Sequence, residues 1–255
     1  MIANYHTHTS RCRHATGEDE AYVRAAIDAG LEILGFSDHT PYWFHTEYYS
    51  RFRMYPEELP DYVNSIEALR HAYREQIQIH LGVEAEFYPK YFPELLSRLR
   101  DTPVEYMILG QHYVGNEVGD WYSGKATADP DILRRYCRQV CDAMETGLFS
   151  CLAHPGLIHY KGPDGDFYHH MAPVVRTAKA CGVPLELNFL GLREGRNYPD
   201  RRVWELAAEE NCPVVFGIDA HDPEHFSRPD ILEDAKAMMA AYGLTVLPTI
   251  PLRSI

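Results

Sequence analysis

Apolar positions along this chain switch repeatedly between two periods. Short runs of apolar and β-branched residues recur seven times: Ile2 to Thr7, Ile33 to Ser37, Ile79 to Ala85, Tyr106 to Gln111, Cys151 to Ala153, Leu185 to Phe189 and Val214 to Ile218. Runs of this length between loop signals predict buried strands. Each is followed by a longer stretch with apolar residues every three or four positions: about Glu20 to Ala29, Glu57 to Gln76, Phe92 to Arg100, Pro130 to Thr146, Tyr168 to Ala180, Pro199 to Glu209 and Asp230 to Ala241. That spacing predicts amphipathic helices. Strands alternating with helices predict right-handed parallel βαβ units, hence an α/β fold. Without repeats, low-complexity tracts or Pro/Gly/Ser linkers, residues 1–255 read as a single domain. Seven units fit a closed barrel or an open doubly wound sheet, and periodicity alone does not separate the two.

Both architectures put functional groups at the carboxyl ends of the strands. Polar, metal-ligating residues stand there in every unit. His6 and His8 end the first run, and the loop beyond carries His14; "GFSDH" brings Asp38 and His39, and "GVEAEF" brings Glu84 and Glu86. His112 follows in "LGQHYV", His154 in "CLAHPG", Asn188 and Arg193 in "ELNFLGLR", and Asp219 and His221 in "GIDAHD". A lone histidine at a strand end is usually a hydrogen-bonded structural residue. His-x-His is different, because alternate strand residues share a face and two imidazoles then grip one ion. Convergence of all seven strand ends on one chemistry predicts a metal centre.

Nine candidate donors, His6, His8, His14, His39, Glu84, His112, His154, Asp219 and His221, exceed what one ion that keeps a water can use. Two to three ions are expected. Imidazoles with a few carboxylates suit Zn, Mn or Fe over Ca or Mg.

The motifs "HTH", a third histidine six residues on (His14), "SDH", "GVE", "QH", "AHP" and "DAH" stand in the order of a known family. Over nearly its whole length the chain resembles the PHP (polymerase and histidinol phosphatase) metallohydrolases, and among them the monofunctional histidinol-phosphate phosphatases. The resemblance implies a distorted (β/α)7 barrel with a three-metal cluster at its strand carboxyl ends. It implies that His6, His8, Glu84 and Asp219 hold one ion, that Glu84 bridges to a second held by His112 and His154, and that His14, His39 and His221 hold a third. The implied activity is hydrolysis of a small phosphate monoester, L-histidinol phosphate foremost, by a metal-bridging hydroxide, with Glu84, His39, Asp219 and His221 at the reacting centre. Two other readings stand beside it: a PHP-type phosphodiesterase or nucleotide hydrolase, and a non-catalytic metal-binding protein.

Substrate contacts are sought among basic residues at the same pole. Arg193, after a buried strand, is placed to fork two phosphate oxygens. Arg196 either shares that task or pairs with nearby acids. Lys161, in "GLIHYKGPD", stands where these phosphatases often carry a basic group. Asp38 either orients an imidazole or bonds backbone. The aromatic loop "TPYWFHTEYYSRFRMYP" forms a substrate wall or lid, or else covers the rim or a dimer contact.

Charge and cysteines narrow the partners. A formal net charge of −13 opposes sequence-independent binding to long nucleic acids. No apolar run reaches the roughly 18 residues of a membrane span. The first residues lack a secretory leader's basic start and apolar core, so a cytoplasmic location is expected. Six scattered cysteines read as reduced thiols. Among them Cys12 is a bystander or a thiolate ligand, and spacing favours the bystander.

Overall fold

The computed structural model describes residues 1–255. Its strands are β1 (Ala3–Asn4), β2 (Ile33–His39), β3 (Gln78–Ala85), β4 (Tyr106–Leu109), the short pair β5 (Tyr113–Val114) and β6 (Trp121–Tyr122), β7 (Phe149–Leu152), β8 (Leu185–Asn188) and β9 (Val214–Gly217). Its helices are α1 (Asp19–Asp28), α2 (Leu59–Ala72), α3 (Phe92–Arg100), α4 (Pro130–Glu145), α5 (Asp164–Cys181), α6 (Phe189–Glu194), α7 (Arg201–Glu210) and α8 (Pro229–Ala241). Seven strands form one parallel sheet in the order β1-β2-β3-β4-β7-β8-β9.

The sheet's two outer strands nearly meet. Beyond β1 and β9, Thr7 and Ala220 make an isolated parallel bridge, with His8 N donating to the Ala220 carbonyl at 2.9 Å and Ala220 N to the His6 carbonyl at 3.2 Å. The result is a nearly closed seven-stranded barrel, which settles the choice that periodicity left open. A large core of 58 buried residues joins helices to sheet, and a second cluster of eight includes Tyr5, Tyr106, Ile108 and Cys151. The Tyr106 hydroxyl reaches the carbonyls of Tyr5 (2.9 Å) and Phe36 (3.0 Å), and a Cβ on Gly35 or Gly82 would lie 2.2 Å from its side chain. Tyr106 thus plugs the barrel floor in space that only glycine leaves. Truncating such a fully buried ring costs about 3–5 kcal/mol.

Several boundaries differ from the sequence expectation for local reasons. The first strand pairs only over Ala3–Asn4, because the Asn4 side chain replaces ladder bonds, donating to the His6 carbonyl at 3.1 Å and accepting from Ile218 N at 2.8 Å. The run ending at Phe189 stops at Asn188, whose side chain accepts from Gly191 N and caps α6. Helix α2 starts at Leu59, after a single 3-10 turn at Pro56–Glu58. Helix α7 starts at Arg201 because the Asp200 side chain accepts from Arg202 N. The two-residue strands β5 and β6 are too short to show a period. No helix is long and apolar enough to cross a membrane.

Candidate metal centre and active site

Strand ends deliver four buried atoms that find no hydrogen-bond partner: His6 Nε2, His8 Nε2, Glu84 Oε2 and Asp219 Oδ1. They face one another. Glu84 Oε2 lies 3.6 Å from both imidazole nitrogens, and Asp219 Oδ1 lies 3.4 Å from His6 and 3.1 Å from His8. Tetrahedral ligands about 2.0–2.1 Å from zinc are about 3.3–3.4 Å apart, so these separations fit a shared ion. The other Glu84 oxygen, Oε1, faces His154 Nε2 at 2.9 Å and His112 Nε2 at 3.7 Å. One carboxylate therefore presents its two oxygens to two sets of imidazoles, with His39 Nδ1 also 2.9 Å from Oε2.

Nearer the mouth, His14 and His221 each donate from Nδ1 to a carbonyl, Cys12 O at 2.8 Å and Asp219 O at 3.1 Å. Their Nε2 atoms are left as acceptors 2.9 Å apart. Two facing lone pairs call for a cation between them. Ligand atoms of His14, His39 and His221 lie within 4.8 Å of one another. Cys12 Sγ also falls within that distance of His8 and His221, but burial pushes its thiol pKa well up, which disfavours the thiolate a metal needs.

The far sides of three inner imidazoles are held as well. His6 Nδ1 donates to Glu186 at 2.7 Å, His112 Nδ1 to Glu86 at 2.8 Å, and His8 Nδ1 lies 3.4 Å from Asp38. Such acceptors fix the tautomer and turn Nε2 inward. Asp38 also accepts from His39 N at 2.8 Å, so it both orients an imidazole and bonds backbone. Asn188 donates to Asp219 Oδ2 at 3.0 Å, leaving Oδ1 for the cluster. Close approach matters here: a Cβ on Gly110 would sit 1.9 Å from Glu84 Oε1, and one on Gly217 1.8 Å from Glu186 Oε1. His154 (φ 31°) and Asp219 (φ 53°) adopt left-handed backbone that non-glycine residues rarely accept, a cost typical of functional sites.

Electrostatics divide the cluster. Burial opposes charge on Glu84 and Asp219, yet the surrounding imidazoles hold both carboxyls well below the usual range. Burial likewise opposes protonation of His6 and His8, but Asp219, Glu186 and Glu84 raise His6, and hydrogen bonds to Asp219 and Asp38 raise His8 to about 9. Protons here do the neutralising that a metal cation would do. His39, His14 and His221 go the other way, lowered by burial and by neighbouring imidazolium.

The cluster opens into a cavity of about 500 Å³ walled by Phe52, Tyr113, Tyr122, Tyr198, Glu194 and Arg196, with seven of the nine donors lining it. Arg196 donates to Glu194 at 2.8 Å and to the Tyr198 hydroxyl at 2.9 Å. Arg193 does not line the cavity; it is 11% exposed, its Nη2 buried without a hydrogen-bond partner and 3.9 Å from Glu194. Lys161 is exposed and does not line the cavity. Of the aromatic loop, Phe52 enters the wall edge-on to His39 (5.2 Å between ring centres), while Tyr42 and Phe44 are buried in the core. Sequence reasoning missed Glu186, Arg53 and Glu117. Glu186 alone had left a signal, a carboxylate inside the buried strand "LELN" on the same face as Asn188.

A model of the PHP domain matches residues 4–189. The chain belongs to the PHP family. Two of the nine donors, Asp219 and His221, lie beyond the matched stretch, yet the barrel seam brings them to the rest. This PHP protein is 33% identical over 235 residues to the "Probable histidinol-phosphatase" of Deinococcus radiodurans, spanning 87% of each chain. It is 23% identical over 247 residues to the histidinol-phosphatase of Bacillus subtilis, spanning 85% of this chain and 92% of that one. In fold it is similar to the histidinol phosphate phosphatase of Lactococcus lactis, solved with zinc, L-histidinol and phosphate. The TM-score is 0.73 at 17% identity, covering 98% of this chain and 96% of that one. The barrel is therefore of PHP type.

Proposed function

We propose that this PHP protein hydrolyses a small phosphate monoester, with L-histidinol phosphate foremost. The observation that carries the reading is the group of partnerless buried donors flooring a cavity of small-molecule size. Its histidinol-phosphatase relatives support the substrate class. His6, His8, Glu84 and Asp219 would hold one ion, Glu84 with His112 and His154 a second, and His14, His39 and His221 a third. Imidazole-rich donors suit Zn, Mn or Fe, and zinc is present in the Lactococcus structure. Divalent ions here would supply an activated water and neutralise phosphoryl oxygens.

The chain's own groups set the rest. Glu84, His39, Asp219 and His221 belong to the donor cluster and also face the cavity, so they stand where the phosphoryl group must come. Arg193 carries a desolvated guanidinium with an unsatisfied donor, the state in which a phosphate oxygen is most strongly recognised. Arg196 reaches substrate by exchanging Glu194 or Tyr198 for phosphate. Lys161 would contribute only by turning in from the surface. Phe52, Tyr113, Tyr122 and Tyr198 offer aromatic surface to the imidazole ring carried by the departing alcohol, histidinol.

The test is phosphate release from L-histidinol phosphate, an aryl phosphate and an aryl phosphodiester in parallel, after reconstitution with Zn, Mn or Fe. Histidinol phosphate should give the highest kcat/KM, and the metal-loaded protein should hold two to three ions. Preference for the diester would move the function to the phosphodiesterase class. Loading of less than one ion per chain without chelator would remove the metal centre.

A further inference from the structure

Arg53 is a fully buried cation, 1% exposed, on a loop outside every strand and helix. Its Nη1 and Nη2 fork onto Glu86 Oε2 (3.0 Å) and Oε1 (2.8 Å), and Nη1 also donates to the Thr40 carbonyl at 2.8 Å. Its Nε donates to Glu117 Oε2 at 2.8 Å. Those two carboxylates lead to different places. Glu86 Oε1 accepts from His112 Nδ1 at 2.8 Å. Glu117 lies in the turn between β5 and β6, whose Tyr113 and Tyr122 line the cavity, and accepts from Tyr48 at 2.7 Å. Next in sequence to Arg53, Phe52 stacks under the guanidinium at 4.4 Å and meets the His112 ring at 5.6 Å.

The geometry points to Arg53 as a positioning residue with two separable outputs: through Glu86 it aims His112 at the metal cluster, and through Glu117 and Phe52 it sets the substrate-facing wall. The first output follows from donor arithmetic. A guanidinium only donates, so both Glu86 oxygens are kept as acceptors. His112 must then donate from Nδ1, and its Nε2 lone pair is left facing Glu84. The second output follows from reach. Loop 41–56 and the β5–β6 turn share no pairing with the barrel sheet, and Arg53 ties both to the end of β3. Lysine cannot replace it, because a point ammonium does not fork onto two carboxylates in one plane. Only the wall output rests on the phosphatase reading; the aim of His112 is independent of it.

Three substitutions separate the outputs in the full-length protein, stripped of metal and titrated with Co(II), whose visible bands report each ion. Glu86→Gln should weaken one Co(II) by about 10- to 100-fold, the scale for losing a ligand's outer partner. Glu117→Gln should leave Co(II) affinities unchanged and raise KM several-fold. Arg53→Lys should do both, and saturating Co(II) should restore kcat but not KM. Wild-type Co(II) affinity in a folded Arg53→Lys protein would overturn the proposal. If that variant does not fold, the other two decide: a Glu117→Gln change in Co(II) affinity, or none in Glu86→Gln, overturns it. Inactivity of every protein towards phosphate esters would sink the phosphatase reading alone, since the Co(II) titrations still stand.

Discussion

The inner half of the donor cluster and its rim are built on opposite electrostatic plans. Inside, two carboxylates, Glu84 and Asp219, are matched by imidazoles whose affinity for protons is raised, and each His6 and His112 ring leans on a further carboxylate. At the rim, His14 leans on a carbonyl alone and His221 on a carbonyl with Asp219 Oδ1 3.3 Å from the same nitrogen, and both, like His39, have lowered proton affinity. The inner donors thus carry negative charge that would attract a cation, and would have to shed protons to take it. Rim ligands arrive neutral and attract less. The lesson is that affinity and readiness come from different residues: buried carboxylates give the first, bare imidazoles the second.

The strongest way to break this comparison is Glu84→Ala. It removes the one side chain that serves two sets of imidazoles, so kcat should fall more than about a thousandfold on every substrate, as when an essential group is lost. Elemental analysis should show inner ions lost and rim metal the better retained. Arg193→Ala approaches from the substrate side. Loss of a charged fork is worth about 1.5–3 kcal/mol, or about 10- to 150-fold in kcat/KM, and metal content should be unchanged in both regions. A less charged diester should lose less; monoester kinetics within about twofold of wild type would make Arg193 a bystander. His14→Ala should lower kcat by about tenfold and remove a single ion, with inner stoichiometry kept.

The pH dependence of metal binding tests the same contrast. In the metal-free protein His8 holds its proton up to about 9, against burial and because of Asp219 and Asp38. Below that value an entering ion must displace it, so inner affinity should fall by up to about tenfold per pH unit per proton released as pH drops. Rim affinity should stay flat until pH falls to the lowered range of His14 and His221. Calorimetry in buffers of different ionisation enthalpy would count the protons released; equal release from both regions would erase the distinction.

Much of the site was legible because ligands obey a simple rule of place. His6, His39, Glu84, His154 and Asp219 each stand at or just past a run whose period marks a strand, and that position alone recommends them. What escaped notice has no such address. Arg53 lies in a loop with no period, and Glu117 in a turn between strands of two residues each. Their roles depend on partners distant in sequence, which composition cannot pair. Relative standing among basic residues was equally hidden. Arg193, Arg196 and Lys161 look alike in sequence, yet one is part-buried with an unpartnered nitrogen, one engaged in the wall and one on the surface.

The seam at Thr7 and Ala220 gives the centre a place in time. His6 and His8 are synthesised before the other candidate donors, while Asp219 and His221 come only after the last strand they follow. Until then the early histidines have no carboxylate at Asp219 to complete their set. An ion shared by His6, His8 and Asp219 would therefore be held only once the first and last strands of the barrel have met.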